Sequence, residues 1–262
     1  MSVLLRLLPA FAAMVAIVPA AIAIDGSTPG GQPLLPDLDQ ETPSGLVLTE
    51  ARGGWRLGFD SAVRNLGAGP LIIDGERPTA GVRMMSADQV VVQVGSPRTV
   101  VRDVGRLRYV RSPDHRHWHL LGFDRYELRR ADSGETVVAD RKSGFCLGDR
   151  YPVRTRLVPA KPAEPVYRSR CGLDQSSLLS IREGISPGYG DNYTANLEGQ
   201  YLPLSGLRPG RYVLVHRVNG DRRILESAYD NNASSLVLSL RLRDGEPHMR
   251  ILAVCPDTEH CS

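Results

Sequence analysis

Apolar residues along this chain recur mostly at every second position, the period of an extended strand rather than of a helix. LVLTE at 46–50, WRLGFDSAV at 55–63, PLIID at 70–74 and VVVQV at 90–94 read this way. So do RLRYV at 106–110, FDRYELRR at 123–130, RYVLVHRV at 211–218 and SLVLSLRLR at 235–243. In the last run Leu236, Leu238, Leu240 and Leu242 share one face, while Ser239, Arg241 and Arg243 share the other. A strand with one face on a core and one in water has that composition. Asn219-Gly220 between two such runs is a strong hairpin-turn signal, and Asp132-Ser133-Gly134 a weaker one. The only stretch with helical character is short, around Ser176 to Arg182. The pattern predicts an all-β fold, a β-sandwich-like single domain with long loops. Pro159, Pro162 and Pro165 make the connection between Lys142 and Cys171 rigid and irregular, and loops of that length often carry function.

The two ends of the 262-residue chain depart from this pattern. Residues 1–23 carry one charge, Arg6, then an apolar run from Leu7 to Val18 and the small-x-small sequence Ala21-Ile22-Ala23. That arrangement reads as a secretory signal peptide, and the run is short for a membrane span of roughly 20 apolar residues. Residues 24–45, rich in Gly and Pro, read as an extended, partly disordered lead-in. Residues 46–254 form the expected domain and 255–262 a short tail. No second apolar run approaches membrane length. Loss of Arg6 with the leader lowers the net charge from +3 to +2, which indicates neither a nucleic-acid-binding face nor an acidic disordered tail. Cys146, Cys171, Cys255 and Cys261 make an even number in an exported chain, so two disulfides are expected, with three possible connectivities. The economical one joins Cys146 to Cys171 and clips the tail through Cys255 and Cys261. No CxxC spacing suggests zinc.

Candidate chemistry is concentrated at His115-Arg-His117-Trp-His119. Alternate positions of a strand point to one face, so the three imidazoles can meet one ion. A flat strand spreads the outer two by roughly 13 Å, at about 3.3 Å per residue, so the segment should bend or bulge. Imidazole suits Cu, Zn, Fe and Ni alike. His216 sits among apolar strand residues and reads as a satisfied core histidine, while His248 and His260 read as surface or tail residues. The basic residues comprise 30 Arg and only 2 Lys, Lys142 and Lys161.

These residues resemble the lysyl oxidase family. HRHWH at 115–119 followed by FDRYEL at 123–128 is similar to that family's copper segment. Lys142-Ser-Gly-Phe-Cys146-Leu resembles the segment holding the cofactor lysine, and Gly184-Ile-Ser-Pro-Gly188-Tyr-Gly-Asp191-Asn-Tyr193 the one holding the cofactor tyrosine. Leu207-Arg-Pro-Gly210-Arg-Tyr-Val-Leu and Glu226-Ser-Ala-Tyr-Asp-Asn231-Asn232 follow in the family's order. The resemblance implies a lysyl oxidase-like catalytic domain in which His115, His117 and His119 hold copper. It also implies that Lys142 and Tyr193 are joined as lysyl tyrosylquinone. A phenol near copper can be oxygenated to an electrophilic ring, and a neutral Lys amine can add to it. Tyr189 is the competing tyrosine; counting from Ser186-Pro-Gly to Gln200 puts Tyr193 on the family position. The resemblance extends to a calcium site of hard oxygen donors at Asp37, the carbonyl of Leu38, Glu226, Asn231 and Asn232. There the family's intervening acidic residue is Ala228, with Asp230 nearby.

The implied activity is oxidative deamination of peptidyl lysine or another primary amine with O₂, giving an aldehyde, ammonia and H₂O₂. Asp114, Asp124 and Asp191 are the carboxylates near the motifs that could accept a proton. Two other readings use the same residues. A zinc hydrolase would use three His and an activated water, and a non-catalytic copper-binding module would leave Lys142 and Tyr193 unmodified. Nothing in the sequence sets an oligomeric state.

Overall fold

The computed structural model describes residues 31–112, 116–139, 144–154, 158, 160–195, 197 and 199–262. Seventeen strands form among them, and no helix. In chain order the first are β1 (Pro33–Leu34), β2 (Leu38–Gln40), β3 (Ser44–Ala51), β4 (Gly54–Asn65), β5 (Leu71–Glu76) and β6 (Met84–Gln93). Next come β7 (Thr99–Tyr109), β8 (Trp118–Leu120), β9 (Asp124–Arg130), β10 (Thr136–Ala139), β11 (Tyr151–Pro152) and β12 (Ser180–Ile185). The last are β13 (Tyr189–Tyr193), β14 (Tyr201–Pro203), β15 (Gly210–Val218), β16 (Ala233–Arg243) and β17 (Glu246–Cys255).

Three sheets result. One runs β12-β5-β6-β7-β8 with β1 on β6, and a second runs β10-β9-β15-β16-β17. The third runs β11-β13-β4-β14, with β2 and β3 also pairing β4. The length of β4, 12 residues with one face turned inward, explains why this strand serves two cores. Leu57 and Phe59 pack with Tyr126, Leu128, Tyr212, Leu236 and Leu238 of the second sheet. Val63, six residues beyond Leu57, packs with Ile73, Met85, Leu107 and Trp118 of the first. The all-β sandwich architecture read from the alternation is therefore present, with β4 common to both cores.

Three local readings need correction. Residues 180–185, within and beyond the stretch given helical character, form β12 on β5, because Ile181, Glu183 and Ile185 are positioned by pairing with Gly75, Ile73 and Leu71. Asn219 does turn, with φ of 45°, but no two-residue hairpin follows: β15 and β16 are joined by residues 219–232. Asn219 is instead buried, and its side chain binds the Ile224 carbonyl oxygen and amide at 2.8 and 3.1 Å. Part of the expected lead-in is strand, since β1 and β2 are paired and Leu38 is fully buried. The Asp132-Ser133-Gly134 turn does join antiparallel neighbours, β9 and β10.

Two inward positions of β4 are polar, and both are fully bonded. Ser61 donates to Asp124 at 3.0 Å, and His216 Nε2 lies 2.9 Å from the same carboxylate. Gln40 Nε2 donates to the Ala62 carbonyl and to His216 Nδ1, so the imidazole proton sits on Nε2 and is donated to Asp124. Tyr126 joins this sealed group at 3.2 Å from Asp124. At the other position, Asn65 Oδ1 accepts from the amides of Asp37 and Gly67, and Nδ2 donates to the carbonyls of Gly69 and Ile185. Asn65→Ala strips four partners inside the core. We expect it to lower unfolding free energy by about 3 kcal/mol or more in a urea titration, since each stranded group costs about 1–3 kcal/mol.

Candidate metal and tyrosine centre

Of the three candidate copper ligands, His117 and His119 are described; His115 lies outside the described residues. His117 stands in a bend immediately before β8, and the two Nε2 atoms are 2.7 Å apart. With metal–nitrogen bonds of about 2 Å, nitrogens this close are within reach of one ion. The donor set thus fits a borderline metal such as copper. Between them Trp118 turns to the opposite face and is fully buried, donating from Nε1 to the Gln175 carbonyl at 3.1 Å. The Arg77 guanidinium covers its ring at 4.6 Å. Alternation thus sends the imidazoles one way and a packing anchor the other.

The edge of β8 away from β7 is secured at two points joined by one disulfide, Cys146–Cys171. At one point the Trp118 amide donates to the Cys171 carbonyl at 2.8 Å. At the other Leu120 and Phe145 exchange both backbone hydrogen bonds, at 2.7 and 3.0 Å. Gly144 makes that pairing possible. Its φ is 108°, and a Cβ there would overlap the Leu120 carbonyl oxygen and lie 3.1 Å from the His119 Cβ. Of the three possible connectivities, the structure has the one that joins Cys146 to Cys171 and Cys255 to Cys261.

Lys142 lies outside the described residues, but the segment that continues from it binds Tyr193 directly. Three consecutive backbone amides each hold a different side chain. Cys146 N–H donates to the Tyr193 hydroxyl at 2.9 Å, Leu147 N–H to Glu183 Oε2 at 3.2 Å and Gly148 N–H to Asp191 Oδ2 at 2.9 Å. The Phe145 ring packs 4.2 Å from that of Tyr193. Arg150 lies 3.8 Å from Asp191 and donates to the Cys146 sulfur at 3.2 Å. Burial, with the nearby Asp191 carboxylate, pushes the Tyr193 phenol well above its ordinary range.

Tyr189 is placed differently. Its hydroxyl donates toward the carbonyls of Pro162 and Ala163, at 3.3 and 3.4 Å. Lys161, the second lysine, lies 5.1 Å above its ring and donates to the Val153 carbonyl. The proline-rich connection is tied down here as well: Asp149 accepts from the amides of Val166, Tyr167 and Ser186.

Of the carboxylates considered, Asp191 is in this group, Asp124 is enclosed with His216, and Asp114 is outside the described residues. Sequence reasoning missed Glu183. It is fully buried, and Oε1 has no hydrogen-bond partner among the described residues. Burial pushes its carboxyl well above the ordinary carboxylate range. Its place immediately before Gly184-Ile-Ser-Pro-Gly was the available signal.

The five candidate calcium residues also come together. Asn231 Nδ2 donates to Asp37 at 2.9 Å, and the Leu38 amide donates to Glu226 Oε2 at 2.6 Å. Asn232 and Asn219 donate to Glu226 Oε1 at 2.8 and 2.5 Å. Burial pushes Glu226 up to about 7. The buried oxygens Asn231 Oδ1 and Asn232 Oδ1 lack a donor, which suits a hard cation. Among the described residues no group of three or more His, Cys, Asp or Glu could hold a metal, so calcium here would need amide and carbonyl oxygens beside the Asp37 and Glu226 carboxylates.

Glu183 gives a pH signature. Its folded-state pKa lies above the unfolded value of about 4.5, so its contribution is complete below that pH and is lost as pH rises through the folded pKa. Glu183→Gln removes the ionisation. The stability of the variant relative to the parent should therefore grow as pH increases above about 4.5, read from urea titrations across pH.

A model of the lysyl oxidase family matches residues 83–245, which include every candidate copper and quinone residue. Lysyl oxidase homolog 1 of Homo sapiens is 30% identical over 122 residues, covering 45% of this chain and 18% of that protein. Protein-lysine 6-oxidase of Gallus gallus is 29% identical over 119 residues, covering 45% and 24%. Lysyl oxidase homolog 2 of Xenopus tropicalis is 24% identical over 164 residues, covering 61% and 19%. The matches thus span about a fifth to a quarter of these relatives' own lengths. With the family model covering well over half of its sequence, the chain belongs to the lysyl oxidase family.

Proposed function

We propose that this chain is an exported copper-dependent amine oxidase of lysyl oxidase type, acting on peptidyl lysine or another primary amine. The balanced reaction consumes the amine, O₂ and water, and yields an aldehyde, ammonia and H₂O₂. His115, His117 and His119 would hold copper, and Lys142 with Tyr193 would provide lysyl tyrosylquinone. Together these groups, when present, supply the electron sink and the route to O₂. The chain's own residues position and insulate that chemistry. Cys146 N–H fixes the Tyr193 oxygen, and Phe145 fixes its ring against β8. Tyr193 is only 6% exposed, which keeps bulk water from a reactive ring. Asp191, beside Arg150, and Glu183 are the carboxyl groups gathered around Tyr193 that can take or hold a proton.

The observation that carries this reading is that the amide binding the Tyr193 hydroxyl belongs to Cys146, four residues after Lys142. Four residues of extended chain reach roughly 13 Å, a short enough span to support a link between Lys142 and Tyr193. Export through the 1–23 leader agrees with the two disulfides, which persist in oxidising compartments. Calcium would be held by Asp37, the Leu38 carbonyl, Glu226, Asn231 and Asn232.

The test uses the chain without its leader, produced with copper under air, treated with phenylhydrazine and digested. Mass spectrometry should find a labelled peptide joining Lys142 to Tyr193. Lys142→Arg and Tyr193→Phe should keep copper and lose both adduct and amine oxidation, whereas Tyr189→Phe should keep both. Bound copper with Lys142 and Tyr193 unmodified would exclude the amine oxidase. For calcium, adding the ion to chelator-treated protein should raise the thermal midpoint, and Glu226→Gln should abolish that rise.

A further inference from the structure

The β10-β9-β15-β16-β17 sheet has one face on the core and one turned outward. In the middle of the outward face Val213, Val215 and Val237 are covered by the tail at Cys261. Beyond that cover, toward the β16–β17 turn, the register sets Arg211, Ser239 and Arg250 side by side on three strands. Arg241 opposite His248, and Arg243 opposite Glu246, follow along the same face. All four arginines and His248 are exposed. With Met249 and Leu252 they line a shallow depression of about 450 Å³.

Arg211, Arg241, Arg243 and Arg250 enter none of the ion pairs formed among the described residues. On the same sheet, Arg129 and Arg217 are both paired with Glu127 and Glu259. The acidic groups beside the cluster are Glu246 and Asp244 at the turn, and neither forms an ion pair. Like charges on neighbouring strands repel, so the cluster costs stability that a bound polyanion would offset. Along β16 the guanidinium-bearing positions alternate, roughly 6.6 Å apart, giving a line of charge rather than a point.

We propose that this face docks an acidic polysaccharide, a chain bearing repeated carboxylate or sulfate groups, through forked guanidinium contacts. Other polyanions fit less well. The depression has no Trp, Tyr or Phe on which bases could stack. Of the exposed aliphatics of β17, Ile251 and Val254 stand opposite Leu238 and Leu236, on the inward side, and Leu252 alone lies beside the arginines, too small an apolar area for a bilayer surface. A second copy would present the same charge. The inference rests on this sheet alone and does not depend on the oxidase chemistry.

Binding of the leaderless chain to polygalacturonate and to dextran sulfate, measured by titration calorimetry, tests it. Both should bind, neutral dextran should not, and affinity should fall steeply with added salt. The double variant Arg211→Glu/Arg250→Glu should weaken binding at least about tenfold, a 1.4 kcal/mol change, with its thermal midpoint retained because both positions are exposed. Arg102→Glu, at another exposed position, should leave affinity within about twofold of the parent. Absence of binding would overturn the proposal, as would an equal loss in Arg102→Glu. Tighter binding to single-stranded DNA or to phosphatidylglycerol vesicles than to either acidic polysaccharide would overturn it too.

Discussion

Three adjacent peptide N–H groups, those of Cys146, Leu147 and Gly148, set the position of everything around Tyr193. Each N–H reaches a side chain from β12 or β13, so the stretch following Lys142 behaves as a splint between two strands that do not pair with each other. Replacing any one contact leaves a buried polar group to be satisfied elsewhere, at a cost of about 1–3 kcal/mol. Gly144 lets the splint lie against β8, and the disulfide holds it there. The histidines, the phenol and the carboxyl groups are thereby related through backbone geometry rather than through flexible side chains, which favours preorganisation.

The frame beneath the site is built from polar residues in apolar places. Asn65 ties the end of β4 to Asp37 and to Ile185, and its own carbonyl accepts from Gly188 at the entry to β13. The Asp124, His216, Ser61 and Tyr126 group does comparable work between the second and third sheets. Such networks specify one register of strands, because a slip would strand each partner. Asp124, near the histidine motif in sequence, is bonded within this network.

Alternation made most of the fold legible. β3 to β7, β9, β15 and β16 fall on runs whose inward positions are apolar, and His216 behaves as a satisfied core histidine. β17 escaped notice because Ile251, Leu252 and Val254 are all exposed at a sheet edge, which blurs its two faces. β12 escaped because its identity is conferred by β5, not by its own composition. The centre was legible where residue types are rare, as with clustered histidines and scarce lysines. Glu183 was less so, since its significance lies in full burial, a property of three-dimensional surroundings that its place before Gly184 does not by itself encode.

The Cys146–Cys171 bridge closes a loop of 25 residues and runs along one edge of the strand carrying His117 and His119. Thiols in a reducing compartment stay unpaired, and a chain held there lacks the clamp on that edge of β8. Assembly of the centre is then coupled to the redox potential of its surroundings. With the sulfurs reduced the histidine strand is unclamped, and the setting of His117 and His119 becomes rigid only once the sulfurs are oxidised.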